Sequence, residues 1–160
     1  MGSGISTKYQ IDPYYGEMKA REPDAEYRRV FDEDYLDDFC REMIERPKVE
    51  GSSIDKNYLR VQDKYPLRTG GNLGHRTNNQ GRNEFYSDNP MRDAMEMFSD
   101  LSYGGATEYT GNNHGIVTTF YDKSNILFRP YTPTKGSPAV DIKITNPGIV
   151  RGQKIHFFFK

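Results

Sequence analysis

Between His114 and His156 the chain sets out two imidazoles together with Arg129, Lys143 and Lys154. Metal-independent RNA cleavage calls for these residue types. A base must deprotonate the 2′-hydroxyl, an acid must protonate the leaving oxygen, and fixed cations must meet the charge developing on phosphorus. Histidine suits the first two roles because its pKa lies near neutrality. Arginine and lysine on a rigid surface suit the third. Asp141 is placed to orient a basic group, and Tyr109, Tyr121 or Tyr131 offers a ring on which a base could stack. Each residue also has an ordinary structural reading. Arg129 could pair with an acidic loop, and Asp141 could form a cross-strand pair with Arg129 or Lys143. Lys154 and Lys160 could guard a sheet edge beside Phe157, Phe158 and Phe159.

Other chemistries find less support. His75, His114 and His156 stand in separate segments without metal-ligand spacing, so no metal site and no cofactor is expected. Cys40 falls on the apolar stripe of a helix, where a buried thiol is inert. Glu108, Asp122 and Asp141 show no spacing that would pair two carboxylates across a cleft. The glycines between Arg68 and Arg82 match neither a dinucleotide fingerprint nor a phosphate loop.

These side chains need elements to hold them. Strand alternation sends Val140, Ile142 and Ile144 to one face and Asp141, Lys143 and Thr145 to the other. It likewise separates Ile155, Phe157 and Phe159 from Lys154, His156, Phe158 and Lys160. One face therefore packs as core, while the other carries Arg129, Asp141, Lys143, Lys154 and His156. Upstream, Phe31, Tyr35, Leu36, Phe39, Cys40, Met43 and Ile44 recur at helical spacing, which predicts a helix over 24–46. Pro90 at a first helical position, after Asn89 as cap, opens a second helix that Gly104-Gly105 ends. Strands are expected over 106–110, 116–121 and 126–129, with two more after the 130–138 loop. The predicted fold is α+β: two amphipathic helices on one face of a four- to five-stranded antiparallel sheet. Residues 1–23 read as a flexible arm and 24–160 as a single domain. Within that domain 62–89 reads as a mobile loop and 106–160 as the β-rich part. Residues 54–61 fit either a turn of helix or a short strand.

The composition suits one thin-cored domain: 160 residues, 34% hydrophobic, with 12 Tyr and no Trp. Charge is divided unevenly. Residues 1–105 carry 15 basic and 20 acidic side chains, whereas 106–160 carry 7 and 3. The halves either neutralise each other or give the β part a basic working surface. A single cysteine excludes an internal disulfide. No apolar run is long enough for a membrane span, and no signal-peptide core follows Met1. The start Met1-Gly2-Ser3-Gly4-Ile5-Ser6 fits a myristoylation pattern, but a small flexible beginning is its ordinary explanation.

Three phrases near the C-terminal end stand out together: Ile126-Leu127-Phe128-Arg129-Pro130, Gly136-Ser137-Pro138-Ala139-Val140-Asp141-Ile142 and Gln153-Lys154-Ile155-His156-Phe157. The combination resembles the toxin domains at the C-termini of bacterial polymorphic toxins, small effectors delivered into competing cells. The resemblance implies an antiparallel-sheet effector, in many cases a metal-independent ribonuclease of the barnase-like group. Arg129, Asp141, Lys154 and His156 would carry over as site residues, with His114 as a second acid-base group. Tyr131, Ser137 and Lys143 are the expected substrate contacts. RNA would then be the substrate and a cognate immunity protein the partner. The place of action would be the cytoplasm, either the producer's own or that of a target cell. The alternative is a non-catalytic interaction protein, an immunity or accessory partner, that uses the acidic helix between Asp24 and Glu45.

Overall fold

The computed structural model describes residues 33–76, 82–111 and 115–160. The expected arm over 1–23 and the start of the first helix lie outside these residues. Helix α1 (Glu33–Glu45) buries Leu36, Phe39, Cys40 and Met43 as one stripe. Its end is held from the far side of the core. The Arg46 guanidinium donates to Ser99 O at 3.0 Å and Ser102 Oγ at 2.6 Å, near the C-terminal end of α3 (Pro90–Leu101). A cation there meets carbonyls that the helix leaves unpaired.

The segment that fitted either helix or strand is a helix, α2 (Ile54–Val61). Ser53 caps it by accepting a hydrogen bond from Lys56 N. Asn57 on α2 donates to Leu101 O and Tyr103 O, both at 2.8 Å, joining α2 to the end of α3. The expected cap on α3 differs in detail: the Asn89 side chain makes no capping bond. Instead Ser87 Oγ accepts from Asn89 N at 2.8 Å.

The described residues form nine strands: β1 (Leu67–Arg68), β2 (Asn72–Leu73), β3 (His75–Arg76), β4 (Arg82–Ser87), β5 (Ala106–Tyr109), β6 (Ile116–Thr119), β7 (Asn125–Arg129), β8 (Ala139–Lys143) and β9 (Gln153–Phe159). β1 and β2 form a separate two-stranded ribbon. The large sheet has seven strands in the order β3-β4-β9-β8-β7-β6-β5. From β5 to β9 it is the antiparallel meander that alternation predicts. The expectation of four to five antiparallel strands is nevertheless too small. β4 lies parallel to β9 and β3 pairs with β4, making the sheet mixed. The segment read as a mobile loop over 62–89 thus contains four strands. Helices number three rather than two among the described residues, and none is long and apolar enough to cross a membrane.

Both longer helices pack on one face of the sheet. Phe39 of α1, Phe98 of α3 and Phe128 of β7 meet with ring centroids 5.6 to 6.4 Å apart. Such contacts contribute beyond their buried area. Ile116, Phe128, Val140 and Ile155 complete this face, each fully buried. Cys40 is enclosed as expected, and burial, with Asp37 nearby, pushes its thiol up to about 12.

Gly104, just beyond α3, has φ +86°, and a Cβ there would stand 2.0 Å from Ser52 Oγ. Gly104→Ala should therefore destabilise the fold by about 1–3 kcal/mol. An unchanged midpoint in urea denaturation would show that this close approach is unimportant.

Candidate active site on the outer sheet face

Paired residues in a sheet share a face, so the registers build the site directly. One row across the outer face reads His75, Glu84, His156, Ala139, Arg129. The adjacent row reads Arg82, Lys154, Asp141, Leu127. Tyr86 and Phe158 form the start of a third row on the other side of Glu84 and His156. Arg129, Asp141, Lys154 and His156 thus occupy neighbouring positions on the outer face. One strand, β8, lies between Arg129 and His156, which places their backbones about 10 Å apart with only the small Ala139 between them.

Asp141 and Arg129 form an ion pair across a diagonal. Arg129 Nε stands 2.9 Å from Asp141 Oδ2, and its NH2 donates to Oδ1 at 3.1 Å. This is the cross-strand pairing that the structural reading of Asp141 anticipated. The NH2 hydrogen bond and the close ion pair hold the guanidinium against the carboxylate.

His156 is only 5% exposed. Its Nδ1 lies 3.1 Å from Ser137 Oγ, within the β7–β8 loop. The Ser137 hydroxyl donates to Thr134 O at 2.7 Å, so its proton is already committed. With its proton on Thr134 O, Ser137 Oγ accepts from Nδ1–H, the tautomer in which Nε2 is the proton-accepting nitrogen of the neutral ring. Burial, with positive charge from Arg129, Arg82 and Lys154, lowers the His156 pKa to about 4, against a smaller opposing pull from Glu84. The ring is therefore neutral near pH 7.

Glu84 and Tyr86 carry no site signal in the sequence, because their segment reads as loop. Glu84, 8% exposed, accepts from Arg82 Nε at 3.2 Å and NH2 at 2.9 Å. The Tyr86 hydroxyl donates to its other oxygen. The available signal was the alternation in Arg82-Asn83-Glu84-Phe85-Tyr86-Ser87, masked by the glycine- and asparagine-rich stretch before it. Asn83, on the core face, donates to Gln153 Oε1 at 2.6 Å and anchors β4 against β9.

The remaining candidates are distributed differently. Lys154 is exposed on the outer face beside Asp141. Ser137 orients His156 from below the loop surface, being fully buried, rather than facing solvent as a substrate contact would. Tyr131 packs against the core cluster. Lys143 shares the outer face but pairs with Asn125, at the far end of β8 from the Ala139–His156 pair. His114 lies outside the described residues. Tyr109 and Tyr121 are exposed, but on β5 and just past β6, several strands from His156. Among the described residues no group of three or more His, Cys, Asp or Glu side chains could hold a metal ion.

Comparison with protein families, curated proteins and solved structures gives no match. The class defined by these observations is an α+β protein with a cation-rich polar cluster on the face of a mixed sheet opposite α1 and α3.

A depressed histidine pKa has a definite consequence for stability. Between pH about 6.5 and about 4 the unfolded chain binds the proton that folded His156 refuses. This contribution is complete above pH 6.5 and is lost as pH falls towards 4, amounting to about 3 kcal/mol. Thermal unfolding of the parent should therefore fall more steeply over that window than that of His156→Gln. Parallel curves for the two proteins would show that His156 is not held neutral by the fold.

Proposed function

We propose that this protein is a bacterial toxin-like effector that cleaves RNA by acid-base chemistry on the outer sheet face, without needing a metal. The observation that supports it is the placement of a neutral, tautomerically oriented His156 beside Arg129, Lys154 and Arg82. In this reading His156 Nε2 takes the proton from the 2′-hydroxyl. Arg129, held by Asp141, stabilises the negative charge on phosphorus, and Lys154 binds a phosphate oxygen. A second group must protonate the leaving oxygen, and His114 is the candidate for it.

A base with a pKa near 4 is weak at pH 7. Substrate would offset part of this, the part set by neighbouring charge rather than by burial. A phosphate seated among Arg129, Arg82 and Lys154 offsets the positive charge that depresses His156, so proton affinity rises when it is needed. Resemblance to polymorphic toxin domains agrees with this reading and implies a cognate immunity protein as partner. The alternative, an interaction protein working through its acidic helix, has less support. The apolar stripe of α1 is used up in the core, and Asp34 and Glu45 leave a partner mainly charge to bind.

Purified protein should cleave RNA in the presence of EDTA. His156→Ala and Arg129→Ala should each reduce the rate by about 10²-fold or more. Intact RNA after incubation with the parent, or full activity in His156→Ala, would sink the proposal.

A further inference from the structure

Four rings run across the outer face from solvent to the buried imidazole. His75 and Tyr86 have centroids 6.3 Å apart, Tyr86 and Phe158 6.1 Å, and Phe158 and His156 5.9 Å with planes only 10° from parallel. Tyr86 is 50% exposed and turns part of its ring to solvent. Its hydroxyl is tied to Glu84, which limits how the ring can turn. The Arg82 guanidinium lies over the Phe158 ring at 5.7 Å, so positive charge borders the aromatic surface.

We infer that Tyr86 and Phe158 form a nucleobase-stacking subsite for single-stranded RNA, with Arg82 and Lys154 taking the adjoining phosphates. The inference rests on the proposed function for the identity of the reacting group and adds the form of the substrate. Charge complementarity selects the occupant: flat rings bordered by cations suit a base attached to phosphate. A duplex keeps its bases stacked inside, whereas an unpaired strand can lay one on a ring. The subsite adjoins His156 through the Phe158 stack, so a base held there delivers its own nucleotide to Nε2.

The chain contains no tryptophan, so Tyr86→Trp introduces the sole indole. A short single-stranded oligodeoxyadenylate serves as probe, because it stacks but lacks the 2′-hydroxyl needed for cleavage. Saturable quenching of the introduced indole is expected, with little effect from the same sequence as a duplex. By fluorescence anisotropy of the end-labelled single-stranded probe, Tyr86→Leu should bind roughly tenfold more weakly than the parent, while Tyr86→Phe retains binding. Equal binding by Tyr86→Leu and parent, or equal quenching by duplex, would overturn the subsite. Tyrosine-dependent binding without any RNA cleavage would keep the subsite and reject the cleavage reading. Cleavage indifferent to Tyr86→Leu would do the reverse.

Discussion

Strand β9 is the constraint on which the rest of the arrangement depends. It hydrogen-bonds on both sides, antiparallel to β8 and parallel to β4. Its core face, Ile155 and Phe157, packs beneath the helices, and Phe157 stacks on Phe85 of β4 at 5.3 Å. Because alternate residues face opposite ways, fixing Ile155 inward also fixes Lys154 and His156 outward. A slip of one residue would exchange core and site together. The Gln153 amide opposes such a slip, since it bonds Asn83, the Leu73 backbone, Gly71 O and Arg151 O.

The outer face is more enclosed than a solvent-facing sheet surface would be. Glu84, Asp141 and His156 are each at least nine-tenths buried, yet all are hydrogen-bonded or ion-paired. Such satisfaction is what allows polar groups to remain in a confined site. It also lets neighbours tune one another: Arg82 and Arg129 depress His156 while Glu84 partly offsets them. The loop after β7 contributes by turning back at Lys135 and Gly136, both at positive φ, which brings Ser137 to Nδ1.

Much of this was legible in residue order where periodicity was strong. The α1 stripe of Leu36, Phe39, Cys40 and Met43 reads as a buried helix face, and it is one. The division of β8 and β9 into apolar and polar faces was equally readable. The β4 strand was not, for a physical reason. Its core-facing set is Asn83, Phe85 and Ser87, of which only Phe85 is strongly apolar. Its stability comes from pairing with β9 and from the Asn83–Gln153 bond, both remote in sequence. Local hydrophobicity carries no record of such partners.

The sequence by itself determined which residues of the last strands share a face, because side-chain alternation along a strand is local geometry. It thereby grouped Arg129, Asp141, Lys143, Lys154 and His156. Only the tertiary structure decided that Arg82, Glu84 and Tyr86 join them, and that Lys143 stands apart. Pairing order and register across the sheet are set by packing between distant segments. The same packing decided the state of His156, since its low pKa arises from enclosure and from charges on β4, β7 and β9 itself.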